Sequence, residues 1–182
     1  MINYPNKKKV VNTKSFSKAN MGMALEEMIN ISNNYYKNRD IAFIMKRPTS
    51  VKILKTEDNY HIIDAYFQEA STLDYVGVYK GKYLDFEAKE TISKKGFPMA
   101  NIAKHQIEAM ENIIKHGGIT FAIIFLKAYG EIYLVDGKEI IEHAKNHKTY
   151  ISKEEIEKTS TLIKEGYLVP VDYIKVVNDL YL

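Results

Sequence analysis

The hydrophobic pattern of the chain predicts helices near its start, in its middle and toward its end. Apolar residues recur at helical spacing from Asn20 to near Asn38. A second helical pattern begins near Asn101, a suitable N-cap, and continues to His116 before two glycines. Further helices are predicted over residues 137–146, from about Ser152, and over residues 173–180.

Strand-like segments lie between these helices. The apolar run at residues 41–45 predicts a buried strand, and residues 51–53 and 60–67 predict two strands joined by a polar connection. Residues 119–126 form the most continuous apolar run and predict a central strand, with residues 131–135 as its neighbour. This order predicts an α/β fold in which helices flank a mixed central sheet.

One further strand pair is predicted around Lys80-Gly81, where runs rich in tyrosine, valine, leucine and phenylalanine meet. A glycine at the second position of a two-residue loop favours a tight hairpin turn. In the register of that turn, Asp74 faces Glu87 and Thr72 faces Lys89. Because side chains alternate between the faces of a strand, Glu87 and Lys89 share the face that meets Asp74.

This face, which also carries Asp85, has the residues of a metal-dependent hydrolase. Two facing carboxylates with Cβ atoms about 4.5–5.5 Å apart repel unless a cation or proton lies between them. Mg²⁺ prefers one or two carboxylates together with water and phosphate oxygens. The ammonium group of Lys89 would stabilise the oxyanion that develops during phosphodiester hydrolysis.

Two alternatives remain open at this point. In the first, Asp74 and Glu87 belong to an ordinary solvent-facing ladder of ion pairs, in which Lys82 and Lys89 merely balance their charge. If Gly81 belongs instead to a three-residue loop, the register slips by one residue and Glu87 leaves the face of Asp74.

Two polar residues on the predicted helices are further candidates. Glu26 lies beside the apolar stripe of its helix, where it is either a partly exposed carboxylate or a group at the edge of the core. Gln106 lies inside an apolar stripe, so its amide either bonds the backbone or points at a site.

Composition narrows the class of protein. With 182 residues, 46% hydrophobic and 12% aromatic, the chain is predicted to be one domain with a sizeable core. The absence of cysteine excludes disulfides and thiolate chemistry and fits a reducing cytoplasm. No apolar run approaches the about 20 residues of a membrane span, and no signal-peptide pattern is present, so a cytoplasmic protein without a membrane partner is predicted.

Positive charge is unevenly distributed, although the net charge is only +3. Residues 1–17 lack periodicity and predict a flexible basic arm, and residues 18–182 a single domain. Basic side chains in the arm and near the predicted ribbon are candidates for DNA phosphate contacts: Lys7, Lys8, Lys9, Lys46, Arg47 and Lys52. An ordinary solvated terminus and an edge strand protected by lysines explain the same charges.

Several short motifs carry a resemblance to known families. The Asp74 and Glu87-Ala88-Lys89 arrangement resembles the PD-(D/E)xK nuclease superfamily. The surrounding segments are similar to the RecU-type Holliday junction resolvases: Tyr4–Asn6, Gly22–Glu26, Lys46–Thr49, Ser71–Tyr75, Gly77–Gly81, Asp85–Thr91, Phe97–Pro98, His105–Gln106 and Gly117–Ile119.

The resemblance implies a restriction-endonuclease-like core, a homodimer, and a stalk at about residues 48–67. It implies Mg²⁺-dependent cutting, with Mn²⁺ as a possible substitute, of two like strands of a four-way DNA junction during recombination and repair. Recombination proteins, a recombinase or a branch-migration helicase, would be partners. The implied metal ligands are Thr72, Asp74, Glu87 and Gln106, with Lys89 stabilising the transition state and Glu26 near the metals.

The chain departs from the family pattern at Met21, where an arginine is usual, and at Val76, where an asparagine is usual. A tryptophan often present near the C-terminus is also lacking. Two rival functions remain: another PD-(D/E)xK endonuclease that acts on plain duplex DNA, and a junction-binding accessory protein of recombination.

Overall fold

The computed structural model describes residues 24–58, 61–67 and 72–182. The predicted arm at residues 1–17, with Lys7, Lys8 and Lys9, lies outside the described residues, as does Met21. The elements of the described part, in chain order, are α1 (Leu25–Asn38), β1 (Phe43–Lys46), β2 (Val51–Glu57), β3 (His61–Phe67), β4 (Tyr75–Tyr79), β5 (Lys82–Thr91), β6 (Gly96–Pro98), α2 (Lys104–Lys115), β7 (Ile119–Leu126), β8 (Glu131–Asp136), α3 (Gly137–Lys145), β9 (Tyr150–Ser152), α4 (Lys153–Thr159), β10 (Thr161–Leu162) and α5 (Tyr173–Tyr181).

A mixed sheet of six strands forms the centre of the described part, in the order β1-β4-β5-β7-β8-β10. Strands β5 and β7 are parallel, whereas the other neighbouring pairs are antiparallel. All eight residues of β7 are buried, as expected for a strand covered on both faces. The predicted fold class, a mixed α/β sheet flanked by helices, is confirmed.

Helices cover both faces of this sheet. Apolar residues of α1 and α5 pack on one face, where the rings of Phe86 and Phe121 stack with centroids 4.7 Å apart. Helices α2, α3 and α4 pack on the other face, against residues such as Ala122 and Ile124. Since Phe86 points toward α1 and α5, the neighbouring residues Asp85 and Glu87 point toward α2.

The sequence predicted a buried strand at residues 41–45. A strand is present there, but the prediction that it is buried was wrong. Strand β1 begins at Phe43 and, among the strands of the described residues, lies at the edge of the sheet next to β4. Ile44 is buried, but Phe43 and Met45 are about half exposed. An edge strand has one open side, so apolar composition alone did not indicate how much of it is covered.

Strands β2 and β3 form a separate two-stranded antiparallel sheet, called here the ribbon. Its described side chains, in residues 51–57 and 61–66, are all exposed. Lys52 lies over the ring of Tyr66, with its Nζ 5.9 Å from the ring centroid. The division into an arm, a domain and a stalk stays a prediction.

Candidate metal centre

The hairpin turn between β4 and β5 has the predicted two-residue geometry. Lys80 and Gly81 both have positive φ, 48° and 74°, as a type I′ turn requires. The predicted partners are observed along the whole of β4: Tyr79 with Lys82, Val78 with Tyr83, Val76 with Asp85 and Tyr75 with Phe86. The alternative with a three-residue loop and a register slipped by one residue is therefore excluded.

Asp74 immediately precedes β4, just beyond the paired part of the hairpin. Its Oδ2 accepts a hydrogen bond from the backbone N–H of Ala88, at 3.1 Å. Ala88 separates Glu87 from Lys89 in the sequence. This hydrogen bond therefore holds the Asp74 carboxylate against the part of β5 that carries the other two candidate residues.

Glu87 is completely buried, so the solvent-facing ladder is excluded. Its Oε1 accepts a hydrogen bond from Gln106 Nε2 at 2.8 Å and forms an ion pair with Lys89 Nζ at 2.5 Å. Its Oε2 is buried without a hydrogen-bond partner among the described residues. Burial and then the neighbouring charge of Asp74 raise the pKa of Glu87 to about 7, against the opposing effect of Lys89.

These features fit a divalent cation. A buried carboxylate oxygen without a donor, next to a second carboxylate, is stabilised in its charged form when a cation binds both groups. The described residues contain no cluster of three or more His, Cys, Asp or Glu side chains placed to share a metal ion. The candidate site therefore offers two carboxylates, with neutral oxygens and water for the remaining positions, which suits Mg²⁺ better than Zn²⁺.

Gln106 lies in the first turn of α2 and is buried. Helix α2 begins at Lys104, and residues 99–101 form a 3₁₀ turn, so the prediction of Asn101 as N-cap was wrong. Gln106 Oε1 accepts a hydrogen bond from Ala103 N at 2.9 Å while its Nε2 donates to Glu87. Gln106 therefore bonds both the backbone and the Glu87 side chain, and in this arrangement it orients Glu87.

Replacing Gln106 with alanine should weaken the binding of a divalent cation about 10- to 100-fold, because partners that orient a metal ligand have effects of that size. The measurement is a calorimetric titration of the protein with Mg²⁺. His105→Ala, an exposed neighbour on the same helix, is the matched control and should bind as the wild type does. Equal affinities for the two variants would contradict a role for Gln106.

Thr72 and Glu26 are the two remaining candidate residues of the metal centre. Thr72 is exposed and precedes the paired part of the hairpin. Glu26 Oε2 pairs with Lys46 Nζ at 2.5 Å, and both side chains are about half exposed. A cleft of about 330 Å³ brings Glu26 to the same opening as Lys89, and it is lined by Ala24, Leu25, Glu26, Ala88, Lys89 and Glu90.

The basic candidates differ in their surroundings. Lys52 extends from the ribbon, whereas Lys46 is paired with Glu26. Arg47 Nη2 forms an ion pair with Asp85 Oδ2 at 2.5 Å, and Asp85 is 2% exposed. Sequence reasoning placed Asp85 on the correct face but assigned no role to it. The available signal was that Asp85 is a third acid on the face that carries Glu87 and Lys89. A charged acid buried on that face needs a cationic partner.

The pKa of Glu87 predicts how stability depends on pH. In the folded protein this pKa rises from its ordinary 4.5 to about 7, so the folded state holds the proton more tightly than the unfolded state. The contribution of the Glu87 carboxyl group to the free energy of unfolding is complete below pH 4.5, falls between pH 4.5 and 7, and is lost above that range. At about 1.4 kcal/mol per pH unit, the loss is about 3 kcal/mol.

Glu87→Gln does not titrate, so its stability relative to the wild type should increase by about 3 kcal/mol between pH 4.5 and pH 8. Urea unfolding of both proteins in the presence of a chelator measures this difference. Adding Mg²⁺ at pH 8 should stabilise the wild type more than the variant, because only the wild type retains both carboxylates. A difference that stays constant with pH would contradict the assignment.

None of the helices in the described ranges is long and apolar enough to cross a membrane.

A mixed sheet with an aspartate at the entry to one strand, and glutamate and lysine two apart on the next, defines the class of PD-(D/E)xK nucleases. The chain belongs to the RecU family, Recombination protein U, whose sequence profile matches residues 20–179.

Curated relatives are similar over most of their length. A protein from Bacillus cytotoxicus named "Holliday junction resolvase RecU" is 41% identical over 196 residues, covering 99% of this chain and 98% of the relative. A protein of the same name from Geobacillus kaustophilus is 45% identical over 172 residues, covering 90% of this chain and 86% of the relative.

Among solved structures, Hjc from Archaeoglobus fulgidus, described as a Holliday junction resolvase from an archaeal hyperthermophile, aligns with 9% identity and a TM-score of 0.36. The alignment covers 60% of this chain and 77% of Hjc. A similarity of this size supports no argument about function.

Proposed function

We propose that this protein is a divalent-metal-dependent endonuclease that resolves four-way DNA junctions by paired nicks in two like strands. The observation that carries the proposal is the buried Glu87 carboxylate, which adjoins Asp74 and pairs with Lys89 at 2.5 Å. Membership of the RecU family, whose curated relatives are named Holliday junction resolvases, supports the choice of substrate.

The proposed metal is Mg²⁺, with Mn²⁺ as a possible substitute, and the proposed ligands are Thr72, Asp74, Glu87 and Gln106. When bound, the ion would activate water and neutralise charge at the scissile phosphate. Gln106 would keep Glu87 in place, or would offer its amide oxygen once the hydrogen bond to Ala103 is given up.

Lys89 has a separate role in the proposed reaction. Its ammonium group lies beside Glu87 with its side chain about one quarter exposed, so it is open to a substrate while held by an ion pair. A compact ammonium is suited to stabilising negative charge that develops on a phosphate oxygen. The Glu87 carboxylate would hold that group at the reacting phosphate rather than release it to solvent.

The proposed assembly is a homodimer, because a four-way junction has two-fold symmetry and requires one active centre for each of two opposed strands. The arm at residues 1–17 and the ribbon, with Lys52, would provide phosphate contacts, and the shape of the junction would provide selectivity. A recombinase and a branch-migration helicase in the cytoplasm are the proposed partners.

The test compares a four-way junction with a linear duplex of the same sequence, each incubated with the purified protein and Mg²⁺. Symmetric nicks in the junction, with little cutting of the duplex, are expected. Equal cutting of both substrates would indicate a duplex endonuclease. Junction binding without Mg²⁺-dependent cutting would indicate an accessory protein.

A further inference from the structure

Arg47 lies where the chain leaves β1 toward the ribbon, but its contacts are made with the body of the protein. Its backbone N–H donates to the carbonyl of Asp74 at 2.7 Å. Its Nε donates to the carbonyl of Leu73 at 3.2 Å, and its Nη2 donates to Asp85 Oδ2 at 2.5 Å. The guanidinium group is therefore held by partners on two different segments.

Asp85 explains why this side chain turns inward. Its carboxylate is 2% exposed and also accepts a hydrogen bond from the Tyr83 hydroxyl at 2.8 Å. A charged carboxylate buried to this extent is strongly destabilising unless a cation pairs with it. Arg47 is that cation, and its planar fork of donors allows it to bind Asp85 and the Leu73 carbonyl together.

Both segments held by Arg47 carry the carboxylates of the candidate metal centre. Asp74 follows Leu73, whose side chain is fully buried in the apolar layer under α2 and α3. Asp85 is two residues before Glu87 on the same face of β5. A displacement of the Leu73–Asp74 backbone relative to β5 would therefore change the separation of the two carboxylates.

We propose that Arg47 is a positioning residue for the metal centre, which sets the spacing of the Asp74 and Glu87 carboxylates by joining Leu73, Asp74 and Asp85. This replaces the phosphate contact that the sequence predicted for Arg47. The inference rests on the proposed function only in that the two carboxylates bind a divalent cation. Because metal sites tolerate displacements of only about 0.5 Å, the loss of one link should be measurable.

The test uses Arg47→Lys, which keeps the positive charge but loses the fork that spans Asp85 and Leu73. Titration of the DNA-free protein with Mn²⁺ should show an affinity about tenfold weaker, within the 10- to 100-fold range of residues that orient metal ligands. The Mg²⁺ concentration for half-maximal junction cleavage should rise by a similar factor. The dissociation constant for the junction, measured in Ca²⁺, should stay within about twofold of the wild type.

The matched control is Arg39→Lys, the only other arginine of the chain, whose guanidinium lies over the ring of Tyr35. This variant should behave as the wild type in every assay. Asp85→Asn is the second test variant: it keeps the carbonyl partners of Arg47 but removes the ion pair, so it should weaken metal binding in the same direction.

Two results would overturn the inference. Arg47 would be a DNA contact if Arg47→Lys weakened junction binding, reduced its salt dependence by about one phosphate contact and left the metal affinity unchanged. A lower urea unfolding midpoint with unchanged metal affinity in both variants would make its role purely structural. A wild type that binds Mn²⁺ but does not cut junctions would refute the proposed function alone, because the metal titration still decides the role of Arg47.

Discussion

Glu87→Gln is expected to lower the rate of junction cleavage by at least about 1,000-fold, equivalent to about 4 kcal/mol of transition-state stabilisation. Glutamine has the same shape as glutamate but lacks the charge that, together with Asp74, would bind the divalent cation. Asp74→Asn is expected to cause a loss of the same order. Cleavage is measured under single-turnover conditions with saturating protein and 10-fold steps in Mg²⁺.

The control is Glu108→Gln, an exposed carboxylate on α2, which should cleave as the wild type does. Both site variants should still bind the junction within about twofold of the wild type, because phosphate contacts dominate affinity for nucleic acid. If either Glu87→Gln or Asp74→Asn retained more than about one tenth of wild-type cleavage, the proposed metal centre would be wrong.

Lys89→Met is expected to reduce the maximal cleavage rate by about 100- to 1,000-fold, the cost of removing one group that stabilises a developing oxyanion. The midpoint for Mg²⁺ should change much less than the maximal rate, since the lysine is not a ligand. Lys89→Arg should restore only part of the rate, because a planar guanidinium does not occupy the position of a compact ammonium group. The measurement is the cleavage rate as a function of Mg²⁺ concentration.

Lys145→Met, which removes an exposed ammonium group from α3, is the matched control and should leave the rate unchanged. A Lys89→Met variant whose full rate returns at high Mg²⁺ would indicate that Lys89 only assists metal binding. The role in stabilising the transition state would then have to be abandoned.

Burial gives the candidate metal centre its particular chemistry. Glu87 lies in the interior because β5 is a central strand, covered by α2 on the face that carries the acids. The same burial raises its pKa to about 7 and makes an uncompensated negative charge costly. The protein therefore keeps a carboxylate whose charged form is stabilised by the hydrogen bond from Gln106 and the ion pair with Lys89, at some cost in stability near neutral pH.

Most of the fold could be predicted because its signals are local. The turn at Lys80 and Gly81 depends on the φ angles of two adjacent residues, so a short segment was enough to establish the register of β4 and β5. The continuous apolar run of β7 likewise indicated a strand buried on both faces. The Asp74, Glu87 and Lys89 set followed from that register together with the alternation of side chains.

Other features required contacts between distant parts of the chain. The pairing of Gln106 with Glu87 depends on where α2 begins and on how it packs over β5. The inward position of Arg47 depends on Asp85, which is 38 residues away along the chain. Periodicity along the chain predicts neither the Gln106–Glu87 hydrogen bond nor the Arg47–Asp85 ion pair. The edge position of β1 could not be obtained from its apolar composition.

The amino-acid sequence was thus sufficient for the order of the helices and the longer strands, the register of the hairpin and the face that carries the acids, but it did not indicate the short strands β6, β9 and β10. The folded structure was needed to establish the burial of Glu87, the partner of Asp85 and the orientation of Gln106. The physical reason is that turn geometry and side-chain alternation act between residues close in the chain. Burial and ion pairing depend on which surfaces of distant elements come together.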